Sequence, residues 1–173
     1  MDFDELDDFA REATEEIAKY KVPFILSPPK MMANDYNIDV LNWDSIDYGS
    51  EEQGKIPDNK RGIYAFGVCQ ESTVLPPHGY ILYFGIAGVK SKRTLRDRYK
   101  DYLNVKKVNK RPRIAIMISN WRKVLKFYFA PVDDDFSTDE LKRLEEQLNT
   151  ALMSPFAEKD LDTDAKRKRR AFS

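Results

Sequence analysis

The sequence predicts a small α/β domain whose elements run β-β-α-α-β-α, and three observations carry that prediction. Two short runs, 61–69 and 80–86, are dense in aromatic and β-branched residues and are separated by a Pro/Gly-containing stretch, the signature of paired antiparallel strands. A third such run, 124–131, holds Val124, Leu125, Phe127, Tyr128 and Phe129 and closes on Pro131. Ser137-Thr138-Asp139-Glu140 then forms a capping box that opens a helix over 138–153.

The elements run in order along the chain. Residues 3–20 place Phe3, Leu6, Phe9, Ala10, Ala13, Ile17 and Ala18 at helical spacing with acids between them, and Pro23 ends the pattern. Residues 24–59 contain Pro28, Pro29, Gly49, Gly54 and Pro57, so an irregular connection is expected, with Trp43 as a core plug. Ile63, Tyr64, Phe66 and Val68 define the first strand; Tyr80 to Phe84 and Ile86 define the second, joined to it by a long loop. Residues 92–103 read as a helix around Leu95, Tyr99, Tyr102 and Leu103. Residues 112–121 suit either state, and the Ile114/Met117/Ile118/Trp121 spacing favours helix. The expected organisation is an acidic extension over 1–60, a folded domain over 61–157 and a basic tail over 158–173 that includes Lys166 to Arg170.

With 29 acids and 29 Lys+Arg the chain is neutral, but the charges are segregated. Residues 1–58 carry 15 acids against 5 bases, whereas residues 86–127 carry 14 bases against Asp97 and Asp101. Such segregation is the footprint of a polyanion-binding face or of a solvated basic surface. One cysteine, Cys69, permits no intramolecular disulfide, and with the single His78 it excludes a Cys/His zinc site. No apolar run approaches the ~20 residues of a membrane span. The acidic N-terminus does not suit a secretory signal, so the cytoplasm is the expected compartment.

Four side chains carry the candidate chemistry. Glu145 falls within the leucine stripe of the last helix, beside Leu141, Leu144 and Leu148. A carboxylate there requires either an ion-pair partner or a metal such as Mg²⁺. Arg98 borders the packed edge of the 92–103 helix, within reach of Tyr102 at i+4, and its planar fork suits a phosphate. Tyr64 and Tyr83 sit on neighbouring strands, as core residues or as phenols that need an adjacent cation to share a proton at neutral pH.

Taken together, Gly62-Ile63-Tyr64 and Tyr83-Phe84-Gly85 resemble the two-part signature of the GIY-YIG nucleases, with Phe84 in place of the middle Ile. The segment Thr94 to Leu103 is similar to the family's arginine helix, with Arg98 at the catalytic arginine. Leu144-Glu145-Glu146-Gln147-Leu148 with Pro155-Phe156 is similar to its glutamate helix, with Glu145 at the metal-binding position. The likeness covers about residues 61–157. The two motifs are separated by residues 65–82, longer than usual in the family; Ile86 stands where many members have Lys, with Lys90 or Lys92 as substitutes, and Ala157 stands where an Asn is common.

The resemblance implies a short three-stranded antiparallel sheet flanked by helices and a metal-dependent DNA endonuclease. Glu145 would hold one Mg²⁺ or Mn²⁺, Arg98 would clamp the scissile phosphate, Tyr64 would act as general base and Tyr83 would orient the water or share its proton. Lys90, Lys92, Arg93, Arg96, Lys106, Lys107, Lys110, Arg111 and Arg113 would grip the DNA backbone. Two other readings use the same residues: a non-cleaving nucleic-acid-binding module, and an interaction protein whose acidic extension docks a partner or covers the basic face in cis.

Overall fold

The computed structural model describes residues 3–24, 41–49, 51–70, 78–88 and 93–157. Helix α1 (Phe3–Ala18) is followed by strand β1 (Asp44–Asp47), a 3-10 turn (Glu51–Lys55), β2 (Gly62–Gln70) and β3 (His78–Ala87). Then come α2 (Leu95–Leu103), the single-turn α3 (Val105–Val108), α4 (Pro112–Trp121), β4 (Leu125–Pro131) and α5 (Thr138–Leu152). The sheet has four strands in the order β1-β4-β2-β3, and all three pairings are antiparallel.

The mixed α/β class and the β2–β3 hairpin match the sequence reading; the strand count does not. β1 comes from the stretch expected to be irregular. Asp44-Ser45-Ile46-Asp47 has a single apolar residue, too few to show a period of two. Ile46 is nevertheless 2% exposed, and the strand pairs with β4 through Ser45↔Tyr128 and Ile46↔Phe127. Trp43, expected in the core, is 41% exposed. The anchoring of this region falls instead to Leu41, Ile46 and Ile56.

Alternation along the strands sends side chains to two cores. One face carries Ile46, Tyr64, Phe66, Tyr83, Phe127 and Phe129 and is roofed by Leu95, Tyr99 and Tyr102 of α2 with Ile114 and Met117 of α4. The other carries Ile63, Ala65, Phe84, Ala130 and Val132 and is covered by Leu141, Leu144 and Leu148 of α5. A register shift between Phe66 and Gly67 leaves Leu82 as an extra residue on β3. Leu82 and Tyr83 consequently both join the first core, and the Leu82 carbonyl accepts the Phe156 amide at 3.1 Å.

Two helices of the domain, α2 and α5, start on reciprocal caps, whereas α4 opens on Pro112 with no side-chain cap. The Thr94 and Asp97 side chains bond each other's backbone amides at the head of α2, and Ser137 and Glu140 do the same for α5. α1 behaves differently: every residue from Asp4 to Lys21 except Ala13 is exposed. Two contacts with α4 come just after the helix ends. Tyr20 meets the edge of Trp121, and the Asn120 amide donates to the Lys19 carbonyl.

Candidate active site and anion pocket

The two motif glycines are required by close packing. Gly62 sits in the central strand with β4 pressed against it; an added Cβ would overlap the Ala130 carbonyl and lie 2.9 Å from the Pro131 Cα. Gly85 pairs with Tyr64 across the hairpin, and the Tyr64 ring lies over it, so a Cβ there would fall 2.5 Å from the ring's Cζ. The glycine of the second segment therefore makes room for the tyrosine of the first.

Tyr64 is fully buried. Its ring stacks on Phe127 with centroids 5.4 Å apart and meets Tyr102 at 5.8 Å and Tyr83 at 6.4 Å. Its hydroxyl shares a 2.7 Å hydrogen bond with that of Tyr102. Burial, reinforced by the neighbouring phenols of Tyr102 and Tyr83, holds its pKa well above the ordinary 10.0, although Arg98 pulls the other way. Tyr83 is 8% exposed. Its hydroxyl accepts from Arg111 at 3.2 Å, and the Arg111 guanidinium lies 5.7 Å from the Tyr83 ring centroid and 5.0 Å from that of Tyr102.

Arg98 is positioned by α2 beside the Tyr64 phenol, with Tyr102 and Tyr83 within electrostatic reach; these phenols raise its pKa and keep it a cation. Its Nε is buried and, among the described residues, has no hydrogen-bond partner. A buried guanidinium N–H without an acceptor is uncommon and marks a place where an acceptor is expected. Arg93, Arg98, Asp101, Tyr102, Lys107, Val108, Lys110 and Arg111 together enclose a cavity of about 330 Å³.

Glu145 is half-buried on α5, between Leu144 and Leu148, whose side chains belong to the second core. It makes contacts of its own within the fold. Tyr64, Tyr83 and Arg98 thus converge on the first face, while the helix carrying Glu145 covers the second and runs along edge strand β3. Among the described residues no group of three or more His, Cys, Asp or Glu side chains could enclose a metal ion. A single carboxylate fits a hydrated cation such as Mg²⁺, which takes one or two protein ligands and keeps its waters.

The candidate backbone-gripping residues divide. Lys106, Lys110 and Arg113 are exposed, although Arg113 also donates to the Pro155 carbonyl at 2.8 Å. Arg93 and Lys107 each bind Asp101 at 2.5 Å. Arg96 is engaged within the chain, its guanidinium donating to the Ile56 carbonyl at 2.6 Å, the Gly54 carbonyl at 2.8 Å and Asp58 at 2.9 Å. It staples α2 to the end of the 3-10 turn. Lys90, Lys92 and the basic tail lie outside the described residues.

Tyr102, the Tyr83–Arg111 pair and Asp101 are parts of the site that sequence reading did not single out as such. Tyr102 had a signal in its i+4 spacing from Arg98, and Asp101 in being one of two acids in a basic stretch. The Tyr83–Arg111 contact spans 28 residues, and no local pattern reveals it.

The chain matches no known family model, and no curated protein or solved structure is detectably similar to it. Among the described residues no helix is long and apolar enough to cross a membrane.

Proposed function

We propose that this protein is a metal-dependent endonuclease that hydrolyses DNA phosphodiester bonds in the manner of the GIY-YIG nucleases. The observation that carries the reading is the convergence of Tyr64, Tyr83 and Arg98, from three separate elements, beside a cavity walled by five basic side chains. In this reading Arg98 holds the scissile phosphate and stabilises the charge that develops on it. Its unpartnered Nε supplies a donor ready for that oxygen. A Mg²⁺ or Mn²⁺ ion bound through Glu145 would supply charge neutralisation at the leaving oxygen.

The two phenols take different parts. The resemblance makes Tyr64 the general base, but its complete burial and raised pKa oppose that role. It serves better as the wall that positions Arg98 and Tyr102. Tyr83, nearer the surface and with a guanidinium at its hydroxyl, is the phenol suited to orient a water and share its proton.

Burial of Tyr64 is also the observation that favours the second reading, a module that binds nucleic acid without cutting it. A plasmid-nicking assay with Mg²⁺, Mn²⁺ or EDTA separates the two. Nicking is expected with either metal and not in EDTA, and Glu145→Ala is expected to abolish it while leaving the circular dichroism spectrum unchanged. Nicking retained by that variant would refute the assignment of Glu145, and no nicking by the wild type would leave the binding module.

A further inference from the structure

Asp101 is an acid in a stretch dominated by bases, and its side chain is only 12% exposed. Its carboxylate is divided among cations. Oδ1 takes Lys107 at 2.5 Å, and Oδ2 takes Arg93 at 2.5 Å and faces Arg98 at 3.9 Å. All four residues line the 330 Å³ cavity, together with Lys110 and Arg111.

Two features indicate that one carboxylate does not complete this site. The wall holds five bases to one acid, and cations held this close repel one another unless more negative charge arrives. Arg98 lines the same wall and its buried Nε has no acceptor among the described residues, while Asp101 reaches the Nη1 of that side chain at the 3.9 Å edge of ion pairing. A carboxylate and a phosphodiester present the same recognition element: two oxygens sharing one negative charge, suited to a guanidinium fork and an ammonium.

We propose that this cavity is a subsite for an internal phosphodiester of the DNA strand and that Asp101 is its built-in occupant. Asp101 holds Arg93 and Lys107 in the free protein and yields them to a backbone phosphate. The phosphate's identity, as the scissile one that Arg98 also holds, rests on the nuclease reading; the exchange itself requires only that the protein bind DNA. The arrangement makes anion binding a competition within the chain, so that isolated phosphates are held weakly and a strand that fills the whole face is held well.

The proposal predicts substitutions of opposite sign. Binding of a short fluorescent duplex to the full chain is measured by anisotropy in EDTA, where no cleavage intervenes. Asp101→Asn, nearly isosteric, is expected to tighten binding about tenfold, the scale of one competing charge-assisted pair. Lys107→Ala, at an exposed side chain, is expected to weaken it and to reduce the slope of log Kd against log salt by about 0.9. If Asp101 merely scaffolds Arg93 and Lys107, Asp101→Asn weakens binding or leaves it unchanged, and the proposal fails. Thermal denaturation of both variants shows whether a loss of binding is a loss of fold.

Inorganic phosphate and duplexes with 5′-phosphate or 5′-hydroxyl ends identify the source. Equal affinity for the two duplexes, with weak competition by phosphate, supports an internal phosphodiester. Preference for the 5′-phosphate overturns that assignment in favour of a terminal one. Tightening by Asp101→Asn in a protein that does not nick plasmid keeps the subsite and removes the enzyme. Nicking without tightening does the reverse, and absence of duplex binding by both proteins at low salt removes both.

Discussion

The two faces of the sheet are built from different chemistry. The face under α2 and α4 is aromatic, with Tyr64, Phe66, Tyr99, Tyr102 and Phe127 all below 2% exposure. Its rings are tied together by phenol hydrogen bonds, and two guanidiniums stand at its rim. The face under α5 is aliphatic, built from Ile63, Ala65, Ala130, Val132 and three leucines around Phe84. An aliphatic core fixes a helix in place and offers no polar handle. An aromatic core with hydroxyls can fix a helix and also hold cations. The difference accounts for the gathering of the proposed anion-binding residues on one side, and makes Glu145, rooted on the other, the first of them to test.

The comparison breaks most severely at Glu145→Ala, whose expected complete loss of nicking would make the aliphatic side contribute to chemistry despite its composition. Arg98→Ala comes next: cleavage is expected to fall by about 10²-fold or more, as for loss of a key transition-state donor. Single-turnover rates check this, and a change of less than about tenfold would remove Arg98 from the site.

A matched pair of core truncations sharpens the contrast. Phe127→Ala is expected to cost about 3–5 kcal/mol, and Leu141→Ala about 2–5 kcal/mol, by loss of packing and the cavity left behind. Phe127 stacks on Tyr64 and packs on Tyr99, so its loss should also depress activity of the folded fraction, whereas Leu141→Ala should leave turnover unchanged. Denaturant titration and activity below the unfolding midpoint read the two effects separately.

Alkaline pH should strike the aromatic face alone. Burial pushes Tyr48 up to about 12, helped by the neighbouring Tyr99. Burial also raises Tyr64 and Tyr99. Below the ordinary 10.0 these phenols are neutral in folded and unfolded chains alike and their stabilisation is intact. As pH rises past 10 the unfolded phenols ionise and the folded ones resist, so stability is lost from 10 upward for all three, up to about 12 for Tyr48. Urea midpoints measured across that window are expected to fall; a flat profile would contradict the assigned burial. The smallest effect belongs to Tyr102→Phe, which removes the hydroxyl shared with Tyr64 at about 1 kcal/mol and is expected to lower activity more than stability.

Much of the domain was legible because its elements announce themselves. The Ser137 capping box, the aromatic strands, the apolar pattern of 92–103 and the Ile114/Met117/Ile118 spacing fall where the structure has α5, β2, β3, β4, α2 and α4. Grouping Tyr64 with Tyr83 and Arg98 was legible only through their resemblance to a known pattern, because each alone reads as an ordinary core or surface residue. β1 was hidden by its composition: Ile46 is its one apolar residue, too few to show a period of two, and the backbone pairing with β4 leaves no mark in the sequence. The staple made by Arg96 was not legible, because a basic residue on a helix carries no local sign that carbonyls 40 and 42 residues earlier will accept from it.

The strand contributed by Asp44–Asp47 has a practical consequence for anyone dissecting this gene. Tyr48 and Gly49, at its end, bond the Tyr102 carbonyl at 2.7 Å and the Tyr99 hydroxyl at 2.8 Å. A fragment beginning at residue 61 would therefore lose the clasp on the arginine helix and bare the β4 backbone to neighbouring molecules, an invitation to aggregate. Trimming only the first 18 residues spares both, and is the truncation with which to ask whether the acidic helix restrains nucleic-acid binding.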